Sequence, residues 1–186
     1  MPTPRVAAIH DLSGFGRCSL TVAIPVLSAM GVQCCPLPTA FLSTHTGGFE
    51  GYTFLDLTGE MAKAAAHWKA LGLHFDAVYS GFLGSERQID LVRRFLRDFR
   101  REGMIAVVDP VMGDYGKLYS SYTPEICREM KRLLKHADLV TPNLTEACQL
   151  LDEAYPENGA IGEESLAKMA KALAERGPEQ VVITGL

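Results

Sequence analysis

The sequence lacks the cysteine patterns of a disulfide framework or of a zinc site. It has five cysteines, an odd number, and no Cys-x-x-Cys pair. The adjacent Cys34 and Cys35 are most simply explained as neighbours that alternate on a strand. The sequence also lacks an uninterrupted apolar run of about 18 residues, the length that a membrane-spanning helix needs. These absences weigh against a disulfide-stapled scaffold, a zinc module and a membrane protein.

The sequence has no large excess of charge of either sign. Its 18 basic and 22 acidic residues give a formal net charge of -4, which offers no general attraction to nucleic acid or to anionic membranes. The first residues do not combine a charged segment with a long apolar run, as a secretory signal would. We therefore expect a cytoplasmic protein without a nucleic-acid or membrane partner.

The composition is that of a globular protein. The 186 residues are 47% hydrophobic and 22% charged, and a chain of this length can form a core without a covalent staple. Short apolar runs alternate with amphipathic segments, which predicts a single α/β domain over residues 1–186 with a mainly parallel sheet. The predicted strands are 6–9, 32–37, 77–80, 105–109, 139–141 and 181–184, and the predicted helices are 18–30, 57–71, 85–102, 123–136 and 163–176.

Three segments depart from this alternation. Pro25 interrupts the first helix, so we expect a kink or a restart at that residue. Residues 38–53 contain several glycines among serine, threonine and histidine, and this composition predicts a loop or a small irregular hairpin. Residues 181–186 predict a strand that runs into a turn glycine, and we expect the sequence to be the first part of a longer fold.

Polar residues follow all six predicted strands. In open parallel sheets, ligands bind beyond the carboxyl ends of the strands, so these loops are the expected site. Asp109 and Asp114 either face a cation or polyphosphate, or form a helix cap and a turn. Asn143 and Glu146 either belong to the same site or form a capping pair at the start of a helix. His45 is either a catalytic or an ordinary loop histidine.

Two common phosphate-binding motifs do not apply. The segment 10–16 has glycines at positions that partly match a dinucleotide loop, but the third glycine is missing and the spacing differs. No Gly-x-x-x-x-Gly-Lys-Ser/Thr run occurs, which excludes a P-loop kinase or GTPase.

Taken together, the motifs resemble the pyridoxal kinase branch of the ribokinase-like superfamily over nearly the whole chain. The Asp-Pro-Val-Met-Gly-Asp block at 109–114 and the Thr-Pro-Asn-x-x-Glu block at 141–146 are the most specific part of the resemblance. The Ser-Thr-His-Thr-Gly segment at 43–47 favours pyridoxal kinases over the related hydroxymethylpyrimidine phosphate kinases, which share the other two blocks. Further support comes from residues 8–11 with Gly16 and from 80–84.

The resemblance implies a parallel sheet flanked by helices, with a small flap over the substrate. It also implies phosphorylation of the 5′-hydroxymethyl group of pyridoxal, pyridoxine or pyridoxamine by ATP, with Mg²⁺ or another divalent metal, a possible monovalent cation and a homodimeric assembly. The implied substrate-binding residues are Asp11, Ala40, Leu42, Thr46 and Phe82; those for the nucleotide are Asp114, Thr141, Asn143 and Thr184; those for the metal are Asp109 and Glu146. Tyr119 or Tyr122 is expected in a lid.

The sequence departs from the resembled family in two respects. Many relatives carry serine where this chain has Asp11, so the ring contact and the preferred vitamer stay open. The family's catalytic base is an aspartate in a Gly-x-Gly-Asp block, and no such block occurs in the 186 residues. We therefore assign no catalytic residue and expect this chain by itself to be inactive. The alternatives are a hydroxymethylpyrimidine kinase, a non-catalytic ligand-binding fragment and a plain nucleotide-binding domain.

Overall fold

The structure is a computed structural model that describes residues 3–46, 48–119 and 122–186. Two compact units make up the chain; the first ends at Met104 and the second runs from Ile105 to Leu186. Gly47, the last residue of the Ser-Thr-His-Thr-Gly segment, lies outside the described residues.

The described residues of the first unit form six strands and three helices. The strands are β1 (Arg5–Ile9), β2 (Leu12–Phe15), β3 (Gln33–Pro36), β4 (Ala40–Thr44), β5 (Phe54–Asp56) and β6 (Ala77–Ser80). The helices are α1 (Leu20–Ala29), α2 (Thr58–Ala70) and α3 (Glu86–Phe99).

Strand β1 is the centre of the main sheet of the first unit. It pairs in parallel with β3 on one side and with β6 on the other, so that Val6 lies between Cys34 and Ala77. Residues 7–9 are fully buried, as expected for a parallel strand with both faces covered. The predicted strands 6–9 and 77–80 are therefore confirmed, and the predicted strand 32–37 is shorter at both ends.

Helices α2 and α3 cover one face of this sheet. Ile9, Met61 and Phe95 line the same narrow cavity between them. At the far end of α2, Trp68 packs against Phe75 and Phe95 with ring centroids 5.5 and 6.2 Å apart. The Ser85 side chain accepts a hydrogen bond from the N–H of Gln88 at the start of α3, which explains where that predicted helix begins.

Of the two alternatives for 38–53, a loop and a small irregular hairpin, the hairpin is confirmed for residues 40–44, which pair antiparallel with β5, and the loop is wrong there. Strand β4 pairs in parallel with β2 and antiparallel with β5, and the three form a separate small sheet. Strand β2 lies where the sequence predicted only a loop. The polar and glycine-rich composition hid these strands, because half of each faces outward and only Ala40 and Leu42 alternate into the interior of β4.

Helix α1 carries no charged residue and continues through Pro25 without a break. The expected restart at Pro25 is therefore not seen. Pro25 lies on an exposed surface, where solvent can satisfy the carbonyl group that the proline leaves without a donor. Val22, Ile24, Val26 and Met30 are exposed on or just beyond the same helix.

In the part of the second unit that the structure describes, there are five strands and three α-helices. The strands are β7 (Ile105–Val108), β8 (Gly113–Asp114), β9 (Lys117–Leu118), β10 (Leu139–Val140) and β11 (Gln180–Val181). The helices are α4 (Pro124–Leu133), α5 (Leu144–Leu151) and α6 (Glu163–Ala174), with 3₁₀ turns at Leu134–His136 and Glu157–Gly159.

Strand β10 pairs in parallel with β7 and with β11. The predicted strands 105–109 and 139–141 are present in shortened form. Strand β11 starts one residue before the predicted strand 181–184 and shares only Val181 with it, and Thr184 makes an isolated parallel bridge to Asn143. Strands β8 and β9 form a short antiparallel hairpin that the sequence did not predict. The predicted class, a mainly parallel sheet flanked by helices, is confirmed.

Among the described residues, no helix combines the length and the apolar character that crossing a bilayer requires.

Candidate functional site

The second unit gathers its polar residues where the loop after β7 meets the start of α5. Asn143 caps α5, and its Oδ1 accepts a hydrogen bond from the N–H of Glu146 at 2.9 Å. Glu146 Oε2 in turn accepts from the N–H of Asn143 at 2.8 Å, so the two residues form a capping box. The Asn143 amide also donates to the carbonyl oxygen of Gly113 at 2.8 Å. This helix start is thereby fixed to the Asp-Pro-Val-Met-Gly-Asp loop.

Glu146 is a buried carboxyl group with only 3% of its surface exposed. Burial raises its pKa to about 8, and the nearby Asp109 charge acts in the same direction. Backbone N–H groups oppose that shift, among them the N–H of Met112, which donates to Oε1 at 3.0 Å. The carboxyl therefore keeps its proton to a higher pH than an ordinary glutamate does.

Asp109 lies half-buried at the end of β7. Burial raises its pKa to about 7, and no hydrogen bond to its carboxylate is found among the described residues. Asp109 and Glu146 are thus two neighbouring carboxyl groups with raised pKa values. Such a pair favours a bound cation, because the positive charge replaces the protons and stabilises both groups in their ionised form.

Asp114 lies on the β8–β9 hairpin and is exposed. The two-residue tip, Tyr115 and Gly116, has φ angles of 48° and 76°, as a type I′ turn requires. Gly113 must be glycine, since a Cβ there would lie 2.2 Å from the carbonyl oxygen of Lys117. The Gly116 N–H donates to Thr145 Oγ1 at 2.9 Å, which ties the hairpin to α5.

The remaining predicted nucleotide residues lie near the same helix start. The N–H of Thr141 donates to the carbonyl oxygen of Val108 at 3.2 Å. Thr184 is exposed and sits beside Asn143 through the isolated bridge. The structure thus brings Asp109, Asn143 and Glu146 together, with Thr141 and Thr184 on the adjoining strands.

Of the two tyrosines expected in a lid, Tyr122 is buried and Tyr119 is partly buried. Burial raises the pKa of Tyr119, and the charges of Asp114, Glu146 and Asp109 add to the shift. Its phenol is thus close enough to these carboxyls to sense their charge. Both residues stay predictions as parts of a lid.

The carboxyl groups of Asp109 and Glu146 are of the kind that binds Mg²⁺, which prefers oxygen ligands and keeps several of its own waters. Within residues 3–46, 48–119 and 122–186, no group of three or more His, Cys, Asp or Glu side chains is arranged to hold a metal ion. Each oxygen of Glu146 already accepts an N–H, so this side chain fits contact through a water better than direct ligation. Asp109 is the freer donor.

The first unit contains a second polar group, at the end of β1. Asp11 is buried, with 6% of its surface exposed. Its carboxylate accepts hydrogen bonds from Ser13 Oγ at 2.9 Å and from Ser19 Oγ. Its backbone carbonyl accepts from the N–H of Leu20, which fixes the start of α1. Ser19 adopts a positive φ of 50°, an uncommon conformation for a residue with a side chain.

His10 precedes Asp11 and is also buried, at 4% exposure. Burial lowers its pKa to about 4, although a hydrogen bond with the Tyr79 backbone opposes the shift. The imidazole lies over Gly81, where a Cβ would come within 2.2 Å of Nδ1. The glycine of the Ser-Gly-Phe segment is therefore required by packing against His10.

A hydrogen-bond network centred on Gln88 holds the Phe82 loop against β4. The buried Gln88 amide donates to the carbonyl oxygen of Thr39 and to Thr58 Oγ1, both at 2.9 Å. Its Oε1 accepts from the N–H of Gly84 at 2.8 Å. Thr39 Oγ1 donates to the Phe82 carbonyl oxygen at 3.0 Å. These bonds fix the loop that carries Phe82 beside the start of β4.

The three substrate-binding residues predicted on and after β4 differ in exposure. Ala40 and Leu42 are buried, at 0% and 2% exposure, whereas Thr46 is exposed. The His45 ring packs against Phe49 at a centroid distance of 5.0 Å and lies over Gly16. His45 therefore contributes at least to local packing, and the substrate roles of the three residues stay predictions.

Sequence reasoning missed the residues that hold these groups in place: Ser13, Ser19, Thr39, Gln88 and Thr145. A buried glutamine on an otherwise apolar face of α3 was the one available signal, since Gln88 falls on the same side as Ile89, Val92 and Phe95.

This chain is similar to known proteins of one enzyme family. The phosphomethylpyrimidine kinase family profile matches residues 22–186. The chloroplastic thiamine biosynthetic bifunctional enzyme of Arabidopsis thaliana is 31% identical over 98% of this chain and 33% of its own length.

Two solved structures are similar to this chain over nearly its full length. One is a Bacteroides thetaiotaomicron protein assigned to the phosphomethylpyrimidine kinases and solved with pyridoxal; it is 51% identical, with a TM-score of 0.93, and the match covers 98% of this chain and 63% of that one. The other is pyridoxal kinase from Lactobacillus plantarum, 32% identical with a TM-score of 0.87, matched over 100% of this chain and 65% of that one. The chain therefore spans about one third of the plant enzyme and less than two thirds of either solved protein.

Proposed function

The chain belongs to the phosphomethylpyrimidine kinase family, and on that premise we propose that the protein is an ATP-dependent kinase for the 5′-hydroxymethyl group of pyridoxal, pyridoxine or pyridoxamine. The observation that carries the choice of acceptor is the solved Bacteroides relative with pyridoxal, at 51% identity. The similarity to the Lactobacillus pyridoxal kinase supports the same choice.

In this proposal, the first unit binds the acceptor. Asp11 would contact the pyridine ring or its phenolic oxygen, and Thr46 would make a further polar contact. Ala40, Leu42 and Phe82 would provide apolar walls. The Gln88 network supports these roles, because it fixes the Phe82 loop against the start of β4.

The second unit would bind the metal and the phosphates. Phosphoryl transfer depends on positioning and on neutralising charge on the phosphate oxygens, and Mg²⁺ supplies that neutralisation when bound. Asp109 and Glu146 would hold the metal, with Glu146 acting through water. Asp114, Thr141, Asn143 and Thr184 would orient the nucleotide phosphates, aided by backbone N–H groups at the start of α5.

Two features of the proposal rest on the resemblance, a homodimer and a monovalent cation, and the proposed cytoplasmic location rests on the sequence analysis. The 186-residue chain contains no residue that we assign as the catalytic base. The proposed activity therefore belongs to the whole protein, and the chain as given is proposed to bind ligands without turnover.

A second candidate is a kinase for hydroxymethylpyrimidine or its phosphate. The family profile and the similarity to the thiamine biosynthetic enzyme favour it. The whole protein, to which the proposed activity belongs, should be purified and assayed for ADP formation with each of the three vitamers and with both pyrimidines. A higher kcat/KM for a vitamer supports the first candidate, and a higher value for a pyrimidine supports the second.

A further inference from the structure

The carboxylate of Asp11 is a buried charge without a cation. Its hydrogen-bond partners are the hydroxyls of Ser13 and Ser19, which are neutral. Among the described residues, no lysine, arginine or histidine lies within ion-pair distance of it. A buried charge is costly unless a countercharge or strong donors compensate it, so this arrangement is suited to receive a positive group from a ligand.

The neighbouring His10 supplies no such charge. The ring is buried and hydrogen-bonded with the Tyr79 backbone, and burial holds its pKa near 4, which keeps it neutral. Its Nε2 is buried and has no hydrogen-bond partner among the described residues. With the other ring nitrogen donating to a backbone carbonyl, Nε2 is a lone-pair acceptor. Two consecutive residues thus offer acceptors and no positive charge.

We propose that Asp11 makes the acceptor site selective for a ligand that presents a positively charged nitrogen bearing hydrogen. Two groups of the proposed substrates have this chemistry: the exocyclic ammonium of pyridoxamine and the protonated ring nitrogen of any vitamer. The inference rests on the proposed function and deepens it, because it names the charge state that the site prefers.

The residue type supports this preference. A serine at position 11 would offer one neutral hydroxyl. A carboxylate held by two serine hydroxyls instead accepts charge-assisted N⁺–H hydrogen bonds, which are roughly twice as strong as neutral ones. Since Ser13 and Ser19 fix the carboxylate in place, little ordering is needed when the ligand binds.

The test is a series of ligands titrated by calorimetry into the purified protein. If Asp11 binds the exocyclic ammonium, pyridoxamine binds about tenfold or more tightly than pyridoxine. If the ring nitrogen is the group, pyridoxine binds about tenfold or more tightly than its analogue with a benzene ring, and methylation of the ring nitrogen weakens binding. Similar affinities in both comparisons overturn the inference.

Asp11→Asn provides the matched variant, because it keeps the shape and removes the charge. The preference that wild type shows should disappear in Asp11→Asn and persist in Asp90→Asn, which changes a partly exposed carboxylate on α3 that pairs with Arg94. A preference that survives Asp11→Asn also overturns the inference. If Asp11→Asn does not fold, the wild-type ligand series alone decides.

Failure of the proposed function gives a different result. In that case, wild type binds none of the vitamers or their analogues, and the inference falls with it. Binding of all the vitamers without a charge preference removes only the inference.

Discussion

Glu146 and Asn143 cap each other at the start of α5, with Oε2 of the glutamate 2.8 Å from the asparagine backbone nitrogen. The same carboxyl accepts the N–H of Met112, so a single side chain joins the helix to the loop after β7. It does so while buried close to Asp109, and both groups have pKa values raised far above those of ordinary carboxyls.

The first prediction concerns the pH dependence of stability. The folded protein holds protons on Asp109 and Glu146 up to about pH 7 and pH 8, whereas the unfolded chain releases them near their ordinary values. Their contribution to stability is full below those ordinary values and is lost as the pH rises through the folded pKa values. Urea unfolding across this range should show a smaller loss of unfolding free energy for Glu146→Gln than for wild type.

The control for this comparison is Glu179→Gln, which changes an exposed carboxylate and should behave as wild type. A Glu146→Gln profile parallel to that of wild type would show that Glu146 does not titrate in this window.

Addition of Mg²⁺ at the upper end of the range should raise the unfolding midpoint of wild type more than that of Asp109→Asn, because the metal replaces the protons.

A second prediction concerns the β8–β9 hairpin. Gly113→Ala places a Cβ against the Lys117 carbonyl oxygen, and the backbone must shift to accept it. We expect a loss of about 1–3 kcal/mol in unfolding free energy. Gly59→Ala is the matched control, since nothing lies within 4 Å of that position in α2, and it should stabilise by about 0.5–1 kcal/mol. Equal effects of the two substitutions on the unfolding midpoint would contradict the prediction.

A third prediction concerns Gln88. Gln88→Met keeps the volume but leaves the Gly84 N–H, the Thr39 carbonyl and the Thr58 hydroxyl without this partner. The expected loss is about 1–3 kcal/mol, because the Gly84 N–H is left unpaired, whereas the Thr39 carbonyl keeps the Leu57 N–H and the Thr58 hydroxyl keeps Asp56. Chemical unfolding of Gln88→Met and of the exposed Gln180→Met provides the measurement. A Gln88→Met protein as stable as Gln180→Met would show that the network contributes little.

A fourth prediction concerns activity. The purified 186-residue chain should phosphorylate pyridoxal at a rate lower by about 10²-fold or more than an intact relative, the contribution typical of a general base. The readout is pyridoxal-dependent ADP formation under matched conditions. Turnover comparable to that of an intact relative would show that the base lies within these 186 residues.

The sequence was sufficient to predict the strands of the main sheet, because their apolar runs are nearly continuous. The strand 77–80 was predicted with its observed bounds, and β1 extends only one residue further. The small sheet of β2, β4 and β5 was missed, since each strand is short and its alternation is masked by serine and glycine. Its existence depends on pairing partners about 30 residues apart in the chain, such as Leu12 with Phe41, which no local pattern reveals.

In the candidate site too, local features were predictable from the sequence and tertiary contacts were not. The spacing of Asn143 and Glu146 was enough to predict a capping pair, because both hydrogen bonds are local. The hydrogen-bond partners of Asp11 and of Gln88 were not predictable. Their roles come from tertiary contacts, in which a hydroxyl or an amide fits a buried polar group that the sequence does not identify.

Trp68 is the single tryptophan in the sequence, and it packs among Phe75 and Phe95 within the first unit. Its fluorescence therefore reports on the melting of that unit alone, whereas circular dichroism averages the helices of both. Superimposable transitions from the two probes would mean that the two units unfold as one cooperative body, and separated transitions would assign a stability to each. One aromatic side chain thus makes the cooperativity of the chain measurable without a label.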